Sequence, residues 1–253
     1  MEYFVGEHSI VRKIWGKSDT VLFIFAGAAA EFALNKAVDW LYFTGRLPAD
    51  PIGRLFSTVS YAHRIIFSDL DGANRAIDKI TSIHSAVESA RGAKIPDWAY
   101  RDVLFMLIHY SIASFELLER KLSEEEKEEV YQVFYRLGLR MHLKDLPPHY
   151  QSWLPVRMQH MEEDLRKSDY SIDLFKQYKR SLGASRYAIL KEAQMLVIPE
   201  RVRELLDMRS FSLLRPAVPF YKFSRIVHLD GLVKAILLPS TYKKQISELD
   251  RES

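Results

Sequence analysis

The sequence contains no cysteine. That absence removes disulfide frameworks, thiolate zinc sites, iron–sulfur clusters, thiolate-ligated and covalently attached haem, and thiol nucleophiles. Any metal centre must be built from histidine, carboxylate, tyrosine, methionine or lysine. Glycine and proline are scarce, ten of each in 253 residues, and glycines such as Gly16, Gly45, Gly72, Gly92, Gly138 and Gly183 stand at wide intervals, as punctuation between long periodic segments would. Neither sign of charge dominates. Lys and Arg number 36 against 33 Asp and Glu, leaving +3 with no long basic run, which argues against a nucleic-acid partner. The most apolar run, Val21 to Ala30, is well short of the roughly 20 residues a spanning helix needs, so no transmembrane segment is expected and the run reads as a buried core helix. Met1 to Arg12 lacks the apolar stretch of a secretory signal, which makes a cytoplasmic location the default expectation.

Several common site signatures are missing as well. No G-x-G-x-x-G or G-x-x-x-x-G-K-[ST] occurs, so the usual backbone cradles for dinucleotides and nucleoside triphosphates are absent. There is no G-x-S-x-G and no H-E-x-x-H. None of the eight histidines has an acid three residues before it, which excludes the Glu-x-x-His pairs of a di-iron bundle.

What is present is helical periodicity over a chain that is 48% hydrophobic. From Asp97 to Lys121 the apolar residues Val103, Leu104, Leu107, Ile108, Ile112, Phe115 and Leu118 recur at helical spacing. Ser123 and Glu126 then fit a capping box that opens the next helix, with Val130, Tyr131, Phe134 and Leu137 on one side. Further helices are predicted over Ser18 to Leu41, Pro51 to Phe67, Gly72 to Ala90, Tyr150 to Leu165, Ser171 to Met195 and Pro199 to Met208. Pro147-Pro148 and the stretch from Pro216 to Pro219 interrupt the pattern, but neither is long or polar enough for a linker. The expected architecture is all-α, a single multi-helix domain over residues 1–253.

The most informative stretch is Asp50-Pro-Ile-Gly-Arg-Leu-Phe-Ser-Thr58. With Pro51 opening a helix, Arg54, Thr58 and Tyr61 fall at i, i+4 and i+7, one cation and two hydroxyls on a single stripe with Ser57 beside it. Downstream, His84 stands in a helix of otherwise small and apolar character, and His109 in the most apolar helix of the chain. A lone helical histidine among apolar neighbours is more often a hydrogen-bonded core residue than a ligand. Arg54 is equally at home as a surface cation, and Thr58 as a hydroxyl bonded to its own helix. Residue pattern alone leaves the function open.

The order of these motifs resembles the family that holds the mycophenolic-acid pathway oxygenase and the bacterial rubber oxygenase called latex clearing protein. The matching features are Gly27-Ala-Ala-Ala30; Asp50, Pro51, Arg54, Leu55 and Thr58 of a D-P-x-x-R-L-x-x-T helix; His84 and Val87 of an H-x-x-V helix; His109 in the apolar helix; Leu154-Pro155; and Val197-Ile-Pro-Glu-Arg-Val-Arg203. The resemblance runs from roughly Ile10 to Leu238. It implies an all-helical fold around one haem b, with His84 as the iron ligand and Arg54 and Thr58 lining the pocket. Tyr61, on the same stripe, and His109 are the remaining expected cofactor contacts. Where the rubber enzyme has a lysine able to occupy the distal position, this chain has Ser57, which implies an open or water-occupied sixth position. Arg54, Ser57 and Thr58 are therefore the expected catalytic set. A second departure, Val38-Asp39-Trp40-Leu41, falls where many members carry histidine and serine. The implied activity is that of a haem-dependent oxygenase acting with O₂ on an apolar, unsaturated or aromatic small molecule. A haem carrier or sensor without turnover is the alternative, as is a haem-free helical interaction protein in which His84 is core.

Overall fold

The computed structural model describes residues 2–45, 49–226 and 249–250. The far end of the family resemblance, up to Leu238, and the Leu55 side chain lie outside the described residues. Eleven helices are described: α1 (Ile10–Trp15), α2 (Ser18–Phe32), α3 (Val38–Phe43), α4 (Pro51–Phe67), α5 (Leu70–Arg91), α6 (Asp97–Leu118), α7 (Glu124–Arg140), α8 (Tyr150–Asp164), α9 (Asp169–Val197), α10 (Glu200–Leu205) and α11 (Ala217–Ile226). Apart from two isolated bridges, Tyr3 with Asp69 and Asn35 with Leu165, no extended pairing occurs among them. The fold is all-α, as its periodicity predicts.

The centre is the packing of α2 on α6, with α9 against both. Close approach depends on Gly27, where an added Cβ would stand 2.3 Å from the Tyr110 ring and 3.0 Å from a Val197 methyl. Trp15, Ile24, Phe105, Ile108 and Tyr131 are fully buried here, and the Trp15 indole N–H donates to Ser111 Oγ at 3.1 Å. The predicted capping box is present: Ser123 Oγ accepts from the Glu126 amide at 3.2 Å, and Glu126 Oε2 from the Ser123 amide at 3.0 Å. Two orphan donors at the start of α7 are thereby satisfied.

Three elements differ from expectation. The predicted helix over Ser18 to Leu41 is two helices, because the chain turns at Asn35. The Asn35 side chain accepts from the Ala37 amide at 2.8 Å, while the Leu34 carbonyl accepts from Arg166 and the Lys36 amide donates to the Asp164 carbonyl. The helical ladder is exchanged there for bonds to the end of α8. The Pro216 to Pro219 stretch, read as a break, instead starts α11, since a proline in a first turn lacks only an N–H the helix would leave free. The long predicted helix ending near Met195 is α9, kinked at Gly183, whose φ of 75° and ψ of 168° suit glycine alone.

Helices α4 and α5 form a hairpin. Asp50 caps α4 by accepting from the Gly53 amide, Pro51 sits in the first turn, and Asp69 caps α5 by accepting from the Gly72 amide at 2.7 Å. Gly92, at φ 69°, ends α5 in the left-handed conformation. Near the turn the pair is well packed, burying Val59, His63, Ile65, Ile66, Ala73, Ala76 and Ile77. Away from it packing loosens: from 52 to 58, and again from Thr81 to Arg91, no described side chain is fully buried. Among the described residues no helix is long and apolar enough to cross a membrane.

Candidate functional site

The loosely packed ends of α4 and α5 are where Arg54 and His84 meet. Each lies about 15 residues from the hairpin turn, so an antiparallel pair puts them side by side. His84 Nδ1 is buried and has no hydrogen-bond partner. Burial and then the Arg54 charge lower its pKa, against a weaker pull from Glu88, so the imidazole is held neutral. Its ring packs edge-on against Tyr100 of α6, with centroids 5.1 Å apart.

Around this pair lies a polar frame that sequence reading missed. Glu88, one turn after His84, accepts from the Ile95 amide at 3.0 Å and the Tyr100 hydroxyl at 3.2 Å, and pairs with Lys94 at 3.3 Å. Burial pushes the Glu88 carboxyl up, but these donors outweigh it and hold it below its ordinary range. Burial and the Glu88 charge push the Tyr100 phenol up, so it stays protonated. Arg91 follows at i+7 on the same face. Its Nη2 donates to Asp39 at 2.7 Å, its guanidinium covers the Trp40 ring at 4.0 Å, and its Nη1 is buried without a partner. Asp39 and Trp40, the departure from the family pattern, thus dock α3 onto the end of the helix that carries His84. Contacts spanning 52 residues leave no local signal.

The other expected residues divide. Thr58 is half-buried and its hydroxyl donates to the Arg54 carbonyl at 3.2 Å. Tyr61 is half-buried with the Arg64 guanidinium 5.9 Å over its ring, and Ser57 is exposed. His63 faces away, its Nε2 bonded to the Trp15 carbonyl at 2.8 Å. His109 lies nine residues beyond Tyr100, about 13 Å further along α6. It is not brought to His84; it stands near Arg157, Glu31 and the Val197 carbonyl. That neighbourhood is a buried network in which Arg157 Nη2 and the Tyr110 hydroxyl both donate to Glu31 Oε2, at 2.5 and 2.8 Å. Two surface clefts of about 300 and 270 Å³ open elsewhere, one beside Phe211 and Arg215, the other beside Phe175 and Lys176, and neither is lined by Arg54 or His84.

The chemistry of the Arg54–His84 face is that of a neutral imidazole with an unpartnered ring nitrogen, flanked by the guanidinium groups of Arg54 and Arg91, which favour an anionic or oxygen-bearing group. No curated protein matches the chain. The family described as ER-bound oxygenase mpaB/B′/rubber oxygenase, catalytic domain, matches residues 12–229, with both His84 and Arg54 inside the span, and the chain accordingly belongs to that oxygenase family.

Proposed function

We propose that the chain is a haem b-dependent oxygenase that uses O₂ to oxidise an apolar, unsaturated or aromatic small molecule. One observation carries this reading: the buried, unpartnered Nδ1 of the half-buried His84 imidazole, held neutral beside Arg54, in a chain of an oxygenase family. Leaving a buried ring nitrogen unsatisfied costs about 1–3 kcal/mol, which a bond to a metal offsets. A ligating histidine must also be neutral, and burial beside a guanidinium favours that state. The donor set therefore fits a haem. His84 would hold the iron, while Arg54 and the unpartnered Nη1 of Arg91 offer charge-assisted hydrogen bonds to its carboxylates.

When bound, the haem supplies the redox-active iron that O₂ chemistry requires in a chain without cysteine. The protein's own contribution is positional. Tyr100 fixes the plane of the imidazole by its edge contact, and Glu88 holds Tyr100 in place. The hydroxyl proton of Thr58 is committed to the Arg54 carbonyl, so Thr58 braces the turn that carries the guanidinium and has only lone pairs to offer a ligand. Ser57, short and exposed, does not compete for the metal.

Haem content and Soret absorption of the wild type and His84→Ala test the ligand. We expect the variant to lose the haem and His109→Ala to retain it. Full haem with an unchanged spectrum in His84→Ala overturns the assignment. Labelled O₂ then tests the reaction: label should enter product from at least one compound in a panel of isoprenoids, polyenes and phenols. If none carries label while haem is bound, the carrier reading prevails.

A further inference from the structure

On the opposite side of α6 a second group of ligand-type side chains converges. Asp102 follows Tyr100 by two residues, so it leaves the helix away from the His84 face. His160 and Asp164, one turn apart on α8, point at it. His160 Nδ1 lies 2.5 Å from Asp102 Oδ1 and 3.6 Å from Asp164 Oδ2, and one donor atom from each of the three falls within 4.8 Å of the others. The side chains of Asp102, His160 and Asp164 are only 3%, 11% and 15% exposed. Asp102 is braced from behind, its Oδ2 accepting from Asn35 Nδ2 at 2.6 Å, and the Phe105 ring packs on the imidazole at 5.2 Å. Asp164, by contrast, makes no side-chain hydrogen bond among the described residues; its carboxylate approaches His160 at 3.6 Å.

The charges here do not balance. Two buried carboxylates, Glu31 and Asp102, and the half-buried Asp164 beside them share one buried permanent cation, Arg157, which is committed to Glu31. The Lys36 ammonium donates to the Glu163 carbonyl and favours the Asp164 charge only from further off, without pairing with it. Two carboxylates therefore converge on a single imidazole nitrogen, and a proton there can bond well to only one of them. A divalent cation at the same point would serve both and take the ring nitrogen as well.

We propose that Asp102, His160 and Asp164 form a binding site for a divalent transition-metal cation of the zinc type, separate from the His84 face. One imidazole nitrogen with two carboxylate oxygens and no thiolate is a donor set that zinc accepts, with a water completing four ligands. Ligand atoms around a tetrahedral zinc stand about 3.3 Å apart, given bonds of about 2.0–2.1 Å. The Asp164 separation is close to that already, and the Asp102 separation must open by under about 1 Å. The bound ion ties α8 to α6 and, through Asn35, to the turn between α2 and α3. The Asn35 brace is the supporting contact that ligating carboxylates ordinarily have.

The test is a titration of chelator-treated protein with zinc chloride, followed by calorimetry and by native mass spectrometry. The wild type should take up one equivalent. Asp164→Asn and His160→Gln, each with helix content checked by circular dichroism, should weaken uptake at least tenfold, whereas His84→Ala should bind like the wild type. Absence of uptake by folded wild type overturns the proposal, and so does wild-type affinity in either folded variant. Uptake abolished in His84→Ala but kept in Asp164→Asn also overturns it, because the ion would then sit on the haem face.

Discussion

His109 shows how far a residue's neighbours decide its chemistry. Burial and then the Arg157 charge push its pKa from 6.5 down to about 4, against smaller opposing effects of Glu31 and the Val197 carbonyl. In the unfolded chain the same imidazole takes up its proton near 6.5. Between those values the unfolded state binds more protons, so this group's contribution is fully present above pH 6.5 and is lost as the pH falls towards 4. From pH 7 to pH 5 the loss is about 2 kcal/mol. Urea unfolding of the wild type and His109→Gln at both pH values checks this: the variant should lose about 2 kcal/mol less than the wild type. Parallel losses would mean that the fold does not lower the His109 pKa. The sequence offered His84 and His109 as similar helical histidines. What separates them is a buried ion pair between residues 126 positions apart, Glu31 with Arg157, which no local pattern announces.

At the scale of elements, what was legible is what is local. The Ser123–Glu126 capping box and the Asp50-Pro51 start of α4 each rest on residues within one turn of chain, and both are where the sequence puts them. The same is true of the face shared by Arg54 and Thr58. The break at Asn35 was hidden because its partners, Asp102 at the side chain and the end of α8 at the backbone, are distant in sequence. The Arg91 clamp on Asp39 and Trp40 was hidden for the same reason. Gly27 is an intermediate case: a small-residue run is visible, but only the structure gives it a purpose, the close contact of α2 with Tyr110. Gly27→Ala would put a carbon within 2.3 Å of that ring, and the ring cannot simply swing away while its hydroxyl bonds Glu31. Overpacking of this kind costs about 1–3 kcal/mol. Thermal unfolding should show the loss for Gly27→Ala, whereas Gly6→Ala, which meets nothing within 4 Å, should unfold like the wild type.

For the molecule as a whole, two ligands that bind the folded chain alone should each raise its stability by mass action. On the two proposed assignments, a haem on the His84 face at 100 times its dissociation constant would contribute about 2.7 kcal/mol, and a zinc ion at the Asp102 site at the same ratio would contribute as much. For a chain near 250 residues each such increment corresponds to about 5–10 °C in melting temperature. The faces leave α6 in opposite directions and share no hydrogen-bond partner: His84 meets Tyr100 and Glu88, while Asp102 meets Asn35 and His160. Sites without shared partners are additive to within about 0.5 kcal/mol. Differential scanning fluorimetry with haem, zinc chloride and both should therefore show two shifts that sum. His84→Ala should lose the first and keep the second, and Asp164→Asn should do the reverse. A haem shift that survives His84→Ala and disappears in Asp164→Asn would reverse the two assignments. A single variant that abolishes both shifts while still unfolding cooperatively would mean that α6 carries one coupled site, and the independence argued from its two faces would fall.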